Sequence, residues 1–302
     1  LLKKFGFNRI SLGIQDFRND VLDAINRKPS KHPIDDIIKK IKDEGFTGTN
    51  IDLVYGLPLQ TVESFKNTVK RAIELDTERI VTFSYAHVPS ILPRQKILEQ
   101  IGFPSSKEKA TMYENSYDLF MKAGYVSIGM DHFSKPGDEF EVALNNKNLH
   151  RNFQGYCTRE TTGQVYAFGA SSISQLDSAY IQNIKNAAQY INSIEKNNLA
   201  VLRGYAVNNE QKIVRDTINS IMCNYYLDLT EIAVKNNCSK DKVIEVIDFN
   251  PSKFEDFISD NLIKIEDSKL IVFEKGRLFT RNIAMRFDPL INQKVGTYSN
   301  TI

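Results

Sequence analysis

The sequence has no tryptophan and, among its 302 residues, only four histidines and three cysteines. The cysteines stand at positions 157, 223 and 238, so none of them has the close spacing of a zinc-binding, redox or cluster-binding loop. We therefore expect no metal site in this sequence. An odd number of cysteines without a framework also predicts reduced thiols in a cytoplasmic protein.

Long apolar runs and a strong charge of either sign are missing as well. No run approaches the roughly 18 apolar residues of a membrane span, so we expect no membrane partner. The net charge of +2 is too small to indicate nucleic acid as a partner, and 41% hydrophobic with 25% charged residues predicts a globular protein. The first residues lack a starting methionine and a signal peptide, which indicates a chain cut out of a longer one.

The first ninety residues alternate between strand and helix patterns. Strands are predicted at 9–13, 49–54 and 79–85, and amphipathic helices at 34–41 and from Thr61 onward. Asn19 is predicted to cap a further short helix. Gly45 is predicted to end the helix at 34–41. Strands and helices that alternate at this spacing are typical of parallel β/α units.

The second of these strands carries polar residues on one face. Ile51 and Leu53 point to one side, so Asn50 and Asp52 point to the other. In an open sheet covered on both faces those polar residues would be costly, whereas in a barrel they would face a ligand. The polar residues on or just after strand ends, where barrel enzymes place their chemistry, are Gln15, Asp16, Asp52 and His87.

Two neighbouring segments, 129–133 and 150–156, mix histidines, aromatics, an arginine and carboxylate or amide groups. This mixture is typical of a site that holds an apolar ligand by a few polar groups. A rigid loop whose side chains bond to backbone is the alternative. The small-residue turn at 167–174 is consistent either with close approach of a ligand or with tight packing between elements.

Residues from about 206 onward are predicted to be mostly helical, with a hairpin at 262–265 and 270–273 and a helix from about 275. This order resembles a winged helix. Since no basic recognition face is evident, a packing role is favoured over DNA binding.

Segments 8–17, 49–58, 85–89, 129–133 and 281–285 together resemble the oxygen-independent coproporphyrinogen III oxidases, radical S-adenosylmethionine enzymes of heme biosynthesis. The resemblance covers nearly the whole chain. A heme-chaperone branch shares the barrel but usually has an Asn-Leu-x-Tyr-Trp pattern where this chain reads Asn152-Phe153-Gln154-Gly155-Tyr156. The resemblance therefore favours the oxidase branch, with a heme- or porphyrin-binding chaperone as the alternative and a winged-helix DNA-binding protein as a second one.

The resemblance implies an α/β fold: the C-terminal half of a six-strand partial TIM-like barrel, followed by a mostly helical domain with a winged-helix-like end. Three parts are expected. Residues 1–90 would form the last three β/α units, 91–205 a connecting region with substrate and cofactor loops, and 206–302 the helical, winged-helix-like domain.

The family reaction converts two propionates of coproporphyrinogen III to vinyl groups, giving protoporphyrinogen IX. It uses S-adenosylmethionine, a four-iron four-sulfur cluster and an electron donor protein. The cluster-binding cysteine loop of the family has no counterpart in this sequence. We therefore expect no catalytic residue in this fragment and no activity from it alone.

Carried over from the family, the S-adenosylmethionine contacts are Gln15, Arg27, Asp52, Ala86 and Ile173. Arg27 would bind the methionyl carboxylate, and Asp52 would accept from the amine or from ribose hydroxyls. The residue mix of the second segment suggests His150, Arg151 and Gln154 as partners for the carboxylates of the substrate. Phe133, Phe153 and Tyr156 would then face the macrocycle.

Overall fold

The structure is a computed structural model that describes residues 1–153, 155–158 and 164–289. The chain divides into two compact units, with the boundary between Glu141 and Val142. The three-part division expected from the sequence, with boundaries near residues 90 and 205, is a different partition and stays a prediction.

The first unit is an α/β structure built on one sheet. Its strands are β1 (Arg9–Gln15), β2 (Gly48–Tyr55), β3 (Arg79–Ser84), β4 (Val126–Ser127) and β5 (His132–Ser134). Its helices are α1 (Asn19–Ala24), α2 (Ile34–Asp43), α3 (Val62–Glu74), α4 (Ser106–Lys122) and α5 (Glu139–Asn145), the last of which crosses the boundary.

The sheet has the order β1-β2-β3-β5-β4. The pairs β1–β2 and β2–β3 are parallel, which confirms the prediction of parallel β/α units. The pairs β3–β5 and β5–β4 are antiparallel. The short β4 precedes the segment 129–133, which leads into β5.

Helix ends follow the capping chemistry of the sequence. Thr61 caps α3 through a reciprocal bond with Ser64, and Ser105 caps α4 in the same way with Glu108. The prediction for α1 was wrong by one residue. Asn19 is the first helical residue, and Arg18 stands at the cap position without a side-chain capping bond.

The alternation along β2 separates an apolar face from a polar one, as predicted. Ile51 and Leu53 are fully buried and pack in one core cluster with Phe65 and Val69 of α3. Truncating a fully buried leucine of this kind to alanine costs about 2–5 kcal/mol. Because the helices cover this face, the alternate residues of β2 lie on the opposite face of the sheet.

Among its described residues, the second unit contains three small antiparallel sheets and several helices. Its strands are β6 (Leu149–Asn152), β7 (Gly155–Thr158), β8 (Ile173–Gln175), β9 (Ala179–Asn183), β10 (Val201–Ala206), β11 (Tyr226–Asp228), β12 (Ile263–Glu266) and β13 (Lys269–Val272). Its helices are α6 (Ala187–Glu195), α7 (Asn209–Asn224), α8 (Leu229–Lys235), α9 (Lys240–Val246), α10 (Glu255–Ser259) and α11 (Thr280–Met285).

The hairpin predicted near the end of the sequence is confirmed as β12–β13, and β11 pairs with β13 to complete a sheet of order β11-β13-β12. The helix predicted from about residue 275 begins later than expected. A 3₁₀ helix occupies Glu274–Phe279, and α11 follows it. Within the described ranges no helix is long and apolar enough to cross a membrane.

Candidate cofactor-binding site

A bulge at the end of β1 shapes the first part of the candidate site. The pairing of β1 with β2 shifts between Gly13, which pairs with Asp52, and Gln15, which pairs with Leu53. Gln15 has a φ of 69°, a left-handed conformation that is uncommon outside glycine. Its side chain folds back over Gly13, and a Cβ atom added to Gly13 would lie 2.7 Å from Gln15 Nε2.

Arg27 reaches the same position from the segment after α1. Its Nη2 atom donates a hydrogen bond to the carbonyl oxygen of Gly13 and would lie 3.2 Å from a Cβ at that residue. The side chains of Gln15 and Arg27 therefore occupy space that any other residue at position 13 would fill. Together with Asp52, the partner of Gly13 in the ladder, they form one group at the carboxyl ends of β1 and β2.

The carboxylate of Asp52 is held by uncharged donors. Asn50 Nδ2 donates to Asp52 Oδ1 over 2.7 Å and to Ser11 Oγ over 2.8 Å, and Ser11 Oγ donates to Asp52 Oδ2 over 3.1 Å. Ser11 pairs with Asn50 in the parallel ladder, so all three side chains share the sheet face opposite the helix-covered core.

A cleft of about 510 Å³ opens beside β1. Gly13 and Arg27 line it, and the segment 28–33 adds Lys28, Lys31 and His32 to its wall. Gln15 and Asp52 are not part of this wall. The basic side chains suit a ligand that carries a carboxylate.

Ala86 follows β3, which pairs with β2. Its carbonyl oxygen accepts from Gln95 Nε2 over 3.0 Å, and the backbone N–H of Val88 donates to Gln95 Oε1 over 2.7 Å. His87, the next residue, bonds to Glu99 through Nε2 over 2.9 Å. The segment after β3 is therefore fixed by side chains of residues 95–99 at the same end of the sheet.

Ile173 belongs to the second unit, where it lies on β8 and pairs with Gln182 of β9. The small-residue turn before it has left-handed backbone at Gly169 and Ser171. Asn183 Nδ2 donates to the carbonyl oxygens of Ala167 and Gly169 over 3.2 and 3.0 Å. These bonds support the tight-packing interpretation of the turn, and a cofactor contact at Ile173 stays a prediction.

Asp16, predicted among the polar residues of the rim, is a structural residue instead. Its side chain is 1% exposed and accepts from Thr68 Oγ1 over 2.8 Å, Gln60 Nε2 over 2.7 Å and the backbone N–H of Arg18 over 2.9 Å. These bonds tie the loop after β1 to α3 and to the loop before it. Asp16 thus follows the strand end, as predicted, but its carboxylate is engaged by bonds within the protein.

The segment 129–133 divides between the two sides of the sheet. Phe133 is 1% exposed and packs 4.5 Å from Phe120 in the helix-side core, so the expectation that it faces a ligand is wrong. His132, one residue earlier, lies on the other face, where it pairs with Val81. Its Nδ1 atom is 2.6 Å from Asp131 Oδ1.

In the second unit, residues 150–152 lie on β6 and residues 155 and 156 on β7, and these two strands pair antiparallel. His150 is 3% exposed, with Nε2 at 3.1 Å from the side-chain nitrogen of Gln175. The Arg151 guanidinium lies over the Tyr156 ring at 5.1 Å, and the Tyr156 hydroxyl donates to the carbonyl oxygen of Met222 over 3.0 Å.

Of the expected substrate contacts, Gln154 lies outside the described residues. Tyr156 is buried, whereas Phe153 is 60% exposed. The roles of His150, Arg151 and Gln154 toward the substrate stay predictions. In the part of the chain that the structure describes, no three His, Cys, Asp or Glu side chains are grouped to hold a metal ion.

Comparisons with known proteins connect this geometry to a family. The model of the radical SAM superfamily matches residues 1–72, the stretch that contains Gln15, Arg27 and Asp52. The chain is 38% identical over 296 residues to the oxygen-independent coproporphyrinogen III oxidase of Escherichia coli K12, covering 97% of this chain and 63% of that relative. It is 36% identical over 302 residues to the enzyme of the same name from Thermostichus vulcanus, covering 99% of this chain and 92% of the relative.

The chain belongs to the oxygen-independent coproporphyrinogen III oxidase family. A solved structure of the Escherichia coli coproporphyrinogen III oxidase, described as a radical SAM enzyme, matches the mixed α/β fold with a TM-score of 0.85 at 37% identity. That match covers 96% of this chain and 66% of the solved one. The chain thus spans a little under two thirds of the Escherichia coli family member.

Proposed function

We propose that the chain is part of an enzyme that oxidatively decarboxylates two propionates of coproporphyrinogen III to vinyl groups, giving protoporphyrinogen IX. Membership of the coproporphyrinogen III oxidase family supports this proposal. The observation that carries it is the grouping of Gln15, Arg27 and Asp52 around Gly13, inside the stretch that matches the radical SAM superfamily.

The residues of this group fit S-adenosylmethionine. The guanidinium of Arg27 would bind the methionyl carboxylate, and Asp52 would accept from the amine or from ribose hydroxyls. The side-chain amide of Gln15 can both donate and accept hydrogen bonds, so it suits the remaining polar atoms of S-adenosylmethionine. Ala86 would contact the cofactor through its backbone and Ile173 through its apolar side chain. When bound, S-adenosylmethionine supplies the hydrogen-abstracting radical chemistry of the family.

A four-iron four-sulfur cluster does not fit the residues of this chain. Its cysteines are widely separated in sequence, and within the described ranges no group of metal-ligating side chains is present. Our proposal is that the cluster is bound by polypeptide outside this sequence, that an electron donor protein reduces it in the cytoplasm, and that the chain alone is inactive.

The finer fold is part of the same proposal. The units from β1 to β3 would be the last three of a six-strand partial barrel, whose inner face carries Asn50 and Asp52. In the second unit, the order α7-β11-α8-α9 followed by β12–β13 supports a winged-helix-like end. The relatives reported above are named as oxidases, so a heme chaperone and a DNA-binding protein are not favoured.

On the substrate side, Arg151 and His150 would face propionate carboxylates together with Gln154, and Phe153 would contact the macrocycle. The exposure of Phe153 supports this assignment. The burial of His150 against Gln175 means that His150 would have to exchange an internal contact for a substrate contact.

The test has two parts. Isothermal titration of the chain with S-adenosylmethionine should show binding that is at least about tenfold weaker in Arg27→Ala, because a charge-assisted bond to the carboxylate is lost. Arg71→Ala, which removes a surface guanidinium paired with Asp35 and Glu74, is the control and should bind normally.

In the second part, the full-length polypeptide with its cluster is assayed for vinyl formation from coproporphyrinogen III. Arg27→Ala should lower this activity. An active full-length polypeptide whose turnover is unchanged by Arg27→Ala would exclude this site as the cofactor site, and absence of vinyl products would exclude the reaction.

A further inference from the structure

We propose that Asn50 and Ser11 are positioning residues that orient the Asp52 carboxylate toward S-adenosylmethionine while leaving its charge available. This inference rests on the proposed function, because it takes Asp52 to be a cofactor contact.

Each oxygen of the Asp52 carboxylate is bonded by a different donor. The amide of Asn50 fixes Oδ1 at 2.7 Å, and the hydroxyl of Ser11 fixes Oδ2 at 3.1 Å. Asn50 also donates to Ser11 Oγ at 2.8 Å, so the two donors hold each other in place. A carboxylate offers about four acceptor positions. About two therefore remain for a ligand, in directions that the two donors define.

Both donors are uncharged, which matters for a cationic ligand. In the ranges that the structure describes, no lysine or arginine forms an ion pair with Asp52, and Arg27 bonds to the backbone of Gly13, the ladder partner of Asp52. A salt bridge would neutralise Asp52 before the ligand arrived. Amide and hydroxyl donors orient the carboxylate and leave its negative charge to attract the amine or the sulfonium of S-adenosylmethionine.

Asn50 lowers the stability of the sheet relative to an apolar residue at the same position. Its Oδ1 atom is buried without a hydrogen-bond partner among the described residues. An unsatisfied buried acceptor costs about 1–3 kcal/mol, which an apolar residue at this position would avoid. What asparagine supplies in return is the pair of N–H bonds to Asp52 and Ser11. Its contribution is therefore directed at Asp52 rather than at the fold.

A double-mutant cycle on S-adenosylmethionine binding tests this inference. The dissociation constant is measured by isothermal titration for the chain, Asn50→Ala, Asp52→Ala and the double variant. Asn50→Ala should weaken binding by about tenfold, the effect of one hydrogen bond to a charged group. In the Asp52→Ala background the same substitution should change the affinity by less than about twofold, because Asn50 acts through Asp52.

Thr49→Val is the matched control. Thr49 neighbours Asn50 on the same strand, points to the opposite face and has a buried hydroxyl without a partner among the described residues. Its replacement by an isosteric side chain should leave cofactor binding unchanged. For Ser11, alanine should weaken binding and threonine, which keeps the hydroxyl, should restore it. This pair supplies the test if Asn50→Ala fails to fold.

These measurements test the positioning role of Asn50 and the assignment of Asp52 to the cofactor site separately. Unchanged binding in Asn50→Ala, or an equal loss with and without Asp52, would overturn the positioning role while leaving the cofactor site intact. Unchanged binding in Asp52→Ala would overturn the assignment of Asp52 to the cofactor site, and the positioning role with it.

Discussion

Gly13 and Asp52 pair directly across the ladder between β1 and β2, and the missing side chain of Gly13 leaves room for two further polar groups at this point of the ladder. The Gln15 amide and the Arg27 guanidinium both lie within contact distance of the place where a Cβ would be. The site therefore depends on a residue that contributes no functional group.

Gly13→Ala should weaken S-adenosylmethionine binding by at least about tenfold, because the methyl group displaces side chains that would hold the ligand by charge-assisted bonds. Isothermal titration measures the change. Gly204→Ala is the control, since a Cβ there meets only the Tyr180 carbonyl oxygen at an ordinary 3.5 Å. Equal affinities for Gly13→Ala and the unsubstituted chain would contradict the prediction.

Asp16→Ala should destabilise the first unit by about 2–4 kcal/mol, because Thr68 and Gln60 lose a buried acceptor. Urea unfolding followed by circular dichroism measures the loss. Asp20→Ala removes a largely exposed ion pair with Arg18 and should leave the unfolding midpoint almost unchanged. Similar midpoints for the two variants would show that the Asp16 network is not structural.

Two buried tyrosines should make stability sensitive to alkaline pH. Burial raises the pKa of Tyr55 to about 12 and that of Tyr125 to about 12, from 10.0 in both cases. The folded state then keeps protons that the unfolded state loses. Their stabilising contribution is complete below pH 10 and is lost as the pH rises toward 12, at about 2 kcal/mol per tyrosine.

The free energy of unfolding, measured by urea titration at several pH values, should therefore fall less steeply between pH 10 and 12 in Tyr55→Phe or Tyr125→Phe. Tyr166→Phe, on a ring that is 63% exposed, is the control. A slope in Tyr125→Phe as steep as in the unsubstituted chain would contradict the assignment.

Phe133 and Phe153 should respond oppositely to truncation. Phe133→Ala removes a core side chain and should cost about 3–5 kcal/mol of stability. Phe153→Ala, at an exposed position, should change stability by less than about 0.5 kcal/mol. Chemical denaturation of the two variants provides the comparison. A large loss in Phe153→Ala would instead place that ring in the core.

The periodic parts of the fold could be predicted from the sequence. The alternation in β2 and the helix start at Thr61 depend on neighbours within a few residues, and the structure confirms them. His132 and Phe133 were interpreted as one mixed cluster, although adjacent residues of a strand point to opposite faces. With three residues, β5 is too short for its period to show in the sequence.

Long-range contacts limit how much of the candidate site can be predicted from the sequence. Asp16 and Asp52 are both carboxylates near strand ends, and what separates their roles is supplied from elsewhere in the chain. Thr68 and Gln60 enclose the first, whereas Ser11 of the neighbouring strand and Asn50 of the same strand hold the second. The role of Gly13 could not be predicted from the sequence for the same reason. A glycine at this position is explained only by the distant side chains that occupy the space a Cβ atom would take.

The bond from Arg27 to the carbonyl oxygen of Gly13 has a second consequence. Among the described strands β1 lies at an edge of its sheet, and exposed edge carbonyls are templates on which another chain can add a strand. The guanidinium of Arg27 occupies one carbonyl oxygen of this strand. In the chain alone an Arg27 variant frees that acceptor, so light scattering should be measured before any loss of binding is assigned to the cofactor.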